Sequence, residues 1–270
     1  MRAPDIRRKT RSVRSFPSPS LCLLSCVALL GAACSSAAAS APDSGIVLSD
    51  DAGADPGDGG AVPVEKPRTD GGFVVGDGGV VVPDDTFATK VVSYTKGACG
   101  GFGASFLPSI VLGPPAGAGD QAGSLDVVSL GNGGEIVLSV EPNAIVDGPG
   151  SDFVVFENAF FAGGDRSLPF VDLGEVSVSN DGVTWVTFPC TAIAAPYGSC
   201  AGWSPVYSAP DNGISPLEDR AGGDRFDLAT IGVPRAKLVR IRDKGTKACS
   251  PGLTSNGFDL DALAVLHGAH

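Results

Sequence analysis

Residues 147–158 read Asp-Gly-Pro-Gly-Ser-Asp-Phe-Val-Val-Phe-Glu-Asn, and no other stretch restricts the fold as much. Phe153, Val154, Val155 and Phe156 form an unbroken apolar run of β-branched and aromatic residues behind a Gly/Pro turn. Four residues are too few for a helix, and an apolar run without alternation is how a strand covered on both faces reads. Such a strand needs a layer on each side, so the stretch predicts a packed β-structure with Phe153 to Phe156 at its core. Carboxylates stand at both of its ends, Asp147 and Asp152 before the run and Glu157 after it. The central strand therefore delivers oxygen ligands to the rims of the fold.

The rest of the sequence agrees with a turn-rich β-protein: 38 glycines and 21 prolines stand against three tyrosines and one methionine, and helical periodicity is almost absent. Strand-like runs occupy residues 87–95, 125–130, 135–140, 174–179, 183–188, 237–242 and 258–266. Gly131-Asn-Gly-Gly134 predicts a hairpin joining 125–130 to 135–140, and Asn180-Asp-Gly182 predicts a second joining 174–179 to 183–188. Alternation with Val183 places Trp185 in the core. At least seven strands with no long helix imply an all-β, antiparallel β-sandwich over residues 87–270.

Upstream, a basic stretch from Arg2 to Arg14 and an apolar run of about 13 residues have the form of an export signal, too short to span a bilayer permanently. Leu30-Gly-Ala-Ala-Cys34 resembles a bacterial lipobox, although Gly31 occupies the place where leucine is usual. That resemblance implies cleavage at residues 1–33, lipid attachment at Cys34 and, with Ser35 following, an outer-membrane or cell-surface position. Cleavage after an Ala-x-Ala site at Ala37 to Ala39 and release as a secreted protein is the alternative. Residues 34–86 are rich in Ala, Gly, Asp and Pro and read as a disordered acidic tether. Its reach is on the order of 40 Å. Residues 35–86 hold two basic and ten acidic side chains, and residues 87–270 eleven and nineteen. Such an acidic surface repels phosphate backbones, so nucleic acid is not an expected partner.

Four cysteines lie beyond Cys34: Cys99, Cys190, Cys200 and Cys249. An even number in an oxidising compartment predicts two disulfides, with three pairings open. Cys190 with Cys200 is the favoured local bond, which leaves Cys99 with Cys249.

Val176-Ser-Val-Ser-Asn-Asp-Gly-Val-Thr-Trp-Val-Thr-Phe188, then Ala236-Lys-Leu-Val-Arg-Ile241, then the apolar strand from Phe258 to Leu266, resemble the discoidin-like, galactose-binding-type jelly rolls in their order. The stretch at 147–158 together with Gly222-Gly-Asp-Arg-Phe-Asp-Leu228 and Gly257-Phe-Asp-Leu-Asp-Ala262 is similar to a group of bacterial cell-surface proteins. The resemblance covers about residues 125–268. It implies a jelly-roll-type sandwich and surface binding, and it brings no catalytic residues.

The only two histidines, His267 and His270, lie in the last four residues. No imidazole is thus expected inside the fold to serve a Ser-His-Asp or Cys-His centre. Glu135, Glu157 and Glu175 leave a paired-carboxylate hydrolase as a minor alternative. Asp259 and Asp261, two apart on a strand, share a face and need compensation. Either Arg240 and Arg242 supply it as a cross-strand ion ladder, or a calcium ion does, with Asp147, Asp152, Glu157, Asp224 and Asp227 as further candidate ligands. For a sugar, the aromatic planes available are Trp203, Tyr197 and Tyr207 near Cys200, with Phe160 and Phe161 after the central strand. Trp203 is the foremost candidate for sugar stacking, the alternative being that it fills its own loop. The reading is a non-catalytic binding module held at a membrane by its lipid anchor. Its partner is a surface or matrix glycan, or another protein.

Overall fold

In the computed structural model, residues 60–61, 63–75, 79–249 and 252–269 are described. The signal segment, Cys34 and the tether up to residue 59 lie outside them. Among the described residues there is no α-helix; short 3-10 turns and antiparallel strands make up the regular structure.

The central strand forms as the sequence predicts. β8 (Phe153–Phe156) is buried along its whole length and lies between β13 (Asp224–Phe226) and β17 (Ala262–Val265). Successive side chains of a strand point to opposite faces, so an all-apolar strand serves two cores. Phe153 and Val155 face the larger core. They meet Ile136, Leu138, Val176, Val178, Val239 and Ile241 of a five-stranded sheet. That sheet runs in the order β12 (Val186–Thr187), β11 (Gly174–Ser179), β15 (Leu238–Asp243), β6 (Glu135–Ser139) and β4 (Lys90–Thr95). Val154 and Phe156 face a second core with Phe73, Val75, Val82 and Phe87.

Three of those four residues belong to the stretch read as tether. β1 (Arg68–Thr69), β2 (Gly72–Val75) and β3 (Val80–Val82) form a small antiparallel sheet. Phe73 packs edge-on against Phe87, with ring centroids 5.5 Å apart. The packed body thus begins before residue 87, because the valines scattered through the Gly/Asp-rich segment cover the outer face of β8. Lys66 anchors the same segment through Asp126, 3.4 Å away, and through the carbonyls of Ile110 and Leu112.

Three further strand pairs complete the body: β5 (Val128–Ser129) with β16 (Asp259–Leu260), β7 (Ile145–Val146) with β14 (Arg235–Ala236), and β9 (Phe160–Phe161) with β10 (Pro169–Phe170). The first pair overturns the hairpin expected at residues 131–134, since β5 pairs with β16 while β6 pairs with β15 and β4. The glycines there permit a backbone crossing. Gly97 N–H donates to the Leu130 carbonyl at 2.8 Å, and Ala98 and Asn132 exchange bridge hydrogen bonds. A Cβ on Gly131 would stand 2.5 Å from the nitrogen of Gly100.

The second hairpin is present, with Ser177 opposite Thr187 and Val178 opposite Val186. Its turn is held by the Asp181 carboxylate, which accepts from the N–H groups of Val183 and Thr184. Its parity differs from expectation. Phe188 takes the core position, and Trp185 lies half-buried on the outer face with its ring 4.5 Å from the Arg240 guanidinium. One residue of register exchanges the faces of a strand, and Val183, left 83% exposed, gave no anchor to fix it.

Two disulfides close the chain, Cys99 with Cys249 and Cys190 with Cys200, at Cα separations of 5.8 and 4.5 Å. They agree with an oxidising, extracytoplasmic compartment. No helix among the described residues is long and apolar enough to cross a membrane.

Candidate functional site

The seven acidic residues named as candidate metal ligands fall into three separate places. Asp147, Asp152 and Asp227 gather at the start of β8, with carboxylate oxygens within 4.8 Å of one another. Two of these carboxylates already serve the backbone. Asp152 accepts from Gly148 N–H at 2.8 Å and Leu228 N–H at 2.7 Å, while Asp227 caps a 3-10 turn by accepting from Ala229 N–H. Asp261 stands apart, because it lies between β16 and β17, and it does not share the surroundings of Asp259 as their spacing predicted. Both of its oxygens accept from Ala116 N–H at 3.0 Å, with Lys66 and Asp126 nearby.

Glu157, Asp224 and Asp259 meet at the far end of β8, and Asp172, which the sequence did not single out, joins them. Asp224 stands opposite Val155, and Glu157 lies two residues beyond on the same face of the strand. Asp259 donates its N–H to Glu157 Oε1 at 3.2 Å and accepts from the Ser129 hydroxyl. Asp224 Oδ2 accepts from Gly202 N–H at 2.6 Å and Trp203 N–H at 3.1 Å. A Cβ on Gly202 would lie 2.0 Å from the Asp172 carbonyl oxygen, and this residue's φ of +90° suits glycine, so Asp172 is pressed against the segment that holds Asp224. Lys247 is the cation at this end: its Nζ is 3.3 Å from Asp172 Oδ2 and 3.2 Å from the Phe170 ring centroid.

Burial of four carboxylates together disfavours their charged forms. Desolvation, reinforced by Asp259, Asp172 and Asp224, raises Glu157 well above the usual range. Burial pushes Asp259 up to about 7 and Asp224 up to about 6, and raises Asp172 against the pull of Lys247. Asp261, buried at its own site, is also pushed up to about 7. An acid raised in the folded state holds a proton that the unfolded chain has released, so stability falls as pH rises between the two pKa values. For Asp224, Asp259 and Asp261 that window runs from near 4 to about 6 or 7. Asp165, Asp181 and Glu218 are lowered and oppose the trend, but all three are exposed and their effect is small. Thermal melts in chelator are therefore expected to show a falling Tm from pH 4 to 7; a Tm that rises over that range refutes the assignment.

Above the carboxylates is the aromatic surface. Trp203, Tyr207 and Asp224 line one cleft of about 450 Å³ together with Asp219 and Arg225. Trp203 is 38% exposed and its indole N–H donates to the Cys200 carbonyl at 2.9 Å, which fixes the ring without burying it. Tyr197 sits beside it, with centroids 6.0 Å apart. Phe161 N–H donates to the carbonyl of Asp120, whose carboxylate is 3.5 Å from the Tyr207 hydroxyl. Phe160 stacks on Phe170 at 4.9 Å. All five aromatic residues named from the sequence thus belong to one connected region, adjoining the carboxylate cluster through Asp224 and Lys247.

The cross-strand ion ladder does not form, because Arg240 and Arg242 lie on β15, which has no pairing with β16 or β17. In the five-stranded sheet Arg242 stands between Glu175 and Glu135, and Arg240 approaches Glu135 at 3.9 Å. Glu135 and Glu175 are thus placed about Arg242, away from Glu157. His267 corrects the expectation that no imidazole is positioned in the fold, for its Nδ1 lies 2.9 Å from Asp152 Oδ1. Among the described residues no serine, threonine or cysteine is hydrogen-bonded to that ring. Neither a protein-family model nor a curated protein matches this chain.

Proposed function

We propose that this chain is an extracytoplasmic surface lipoprotein whose β-sandwich binds glycan without catalysis. The observation that carries the reading is the cleft in which Trp203 and Tyr207 stand beside Asp224 and Arg225. A pyranose stacks its C–H face on an aromatic plane and sets its hydroxyls on charged neighbours, and this cleft offers both kinds of partner. Tyr197 beside Trp203 and the Phe160–Phe170 stack extend the aromatic surface around it. A tether ahead of the packed body would hold the cleft clear of the membrane that the lipid on Cys34 enters.

Glycan-array binding followed by titration of the best ligand tests the proposal. Trp203→Ala is expected to weaken binding roughly ten-fold or more, the loss of one stacking plane. A glycan whose affinity is unchanged by that substitution refutes the cleft as its site. A chain that binds no glycan but retains a protein partner in pull-down favours adhesion to protein instead.

A further inference from the structure

We propose that Lys66 and Asp126 condense into an intramolecular isopeptide bond, with Asp261 relaying the proton. The inference stands apart from the glycan reading. Lys66 Nζ is 3.4 Å from Asp126 Oδ2, and the two side chains are 8% and 0% exposed. At that separation Asp126 Oδ2 nevertheless accepts no hydrogen bond among the described residues. The N–H groups of Lys66 are directed elsewhere, to the carbonyls of Ile110 at 3.1 Å and Leu112 at 3.3 Å. An ammonium has three N–H bonds and an uncharged amine two, so two carbonyl partners match the amine and leave its lone pair beside the carboxyl group.

The other oxygen of Asp126 is held in place. Oδ1 accepts from Val64 N–H at 2.9 Å, which orients the carboxyl group and leaves Oδ2 as the oxygen that can depart. Burial favours the reactive pair, because a proton moved from ammonium to carboxylate removes two charges from a site poor in water. Asp261 is the third part: it is fully buried, its oxygens accept from Ala116 N–H, and Lys66 and Asp126 are its charged neighbours. In the step, the Nζ lone pair attacks Asp126 Cγ, and the surplus proton of the amine passes to the Asp261 carboxylate. Asp261 returns that proton to the hydroxyl, which leaves as water. One C–N bond forms, one C–O bond breaks, and no oxidant, reductant or further reactant takes part. Contact fixed by the fold takes the place of chemical activation, since reactants held together gain an effective concentration beyond any reached in solution. The bond joins the segment ahead of β1 to the body, so that β1 to β4 stand within one covalent loop. A pull on the chain before Lys66 then reaches Asp126 without unzipping the small sheet.

The test is a peptide mass map of the native chain, reduced at its disulfides and digested in denaturant. The peptide carrying Lys66 and the peptide carrying Asp126 are expected as one branched species, lighter than their sum by the mass of one water. Two separate peptides at full mass overturn the proposal and leave Lys66 and Asp126 as an ion pair; a branched species whose fragments place the link at other residues overturns it as well. Lys66→Arg keeps the positive charge but has no amine to condense, and it is expected to yield the two peptides unlinked. Asp261→Asn is expected to leave most of the chain unlinked while its thermal melt stays cooperative; linkage as complete as in the native chain removes Asp261 from the reaction. Should either variant fold poorly, the map of the native chain decides by itself.

Discussion

Serine at both Cys99 and Cys249 is expected to lower the melting temperature by roughly 10–20 °C. The two cysteines are 150 residues apart, and the bond between them encloses β5 to β15, most of the body. Constraint of so long a loop in the unfolded chain is worth about 5 kcal/mol in the chain-entropy account. For a body of this size each kcal/mol moves Tm by roughly 2–4 °C. Cys190 and Cys200, only 10 apart, enclose a short loop, so their removal is expected to have the smaller effect. Thermal melts of the two double variants under non-reducing conditions make the comparison. A loss below a few degrees for the long-range pair, or the reverse order of the two, would show that native contacts rather than the crosslink limit stability.

Phe153→Ala is the second large effect, a loss of roughly 3–5 kcal/mol. The ring is fully buried, stacked on Phe226 at 5.1 Å and edge-on to Phe188 at 5.9 Å, while Phe188 and Phe226 themselves meet at 4.9 Å. Three aromatic rings, from β8, from β13 and from the residue that follows β12, meet one another, so deletion of one leaves a cavity that neighbours on fixed backbone cannot close. Chemical denaturation reads the loss directly. Val183→Ala on the exposed turn is the matched control and is expected to change stability by less than about 0.5 kcal/mol. If Phe153→Ala stays within about 1 kcal/mol of the native chain, the triad is not the centre of the fold.

The parts of this structure legible in the sequence are those that a local pattern determines. The run Phe153 to Phe156 declared its double burial, Asn180-Asp-Gly182 declared its turn, and the short spacing of Cys190 and Cys200 favoured their bond. The parts that were not legible depend on partners distant in sequence. Gly131 to Gly134 has the composition of a hairpin turn, but the Gly97 to Gly100 backbone passes over it, and nothing local announces that crossing. Trp185 and Val183 alternate as a core strand would, yet the strand is at the edge of its sheet and Phe188 holds the inward register. Phe73, Val75 and Val82 stand among Gly and Asp, so composition hid the face they cover. Within the site, Glu157, Asp224 and Asp259 were visible as acidic residues beside strands. Asp172 was not, since Val-Asp-Leu-Gly ahead of a strand carries no ligand pattern, and only the close approach of Gly202 brings it in. The aromatic residues gathered because β9 and the segments around Cys200 are brought together by contacts such as that of Asp120 with both Phe161 and Tyr207, a property of topology that residue type anticipates only by chance.

The position of β17 has a consequence for how the chain reaches its native state. The innermost strand of the body, β8, is completed on one side by β17, which comes much later in the chain. A nascent chain cannot close the protein's centre until Val265 has emerged. Synthesis and closure are thereby placed in sequence, and the strands made earlier stay pliable until their last neighbour arrives.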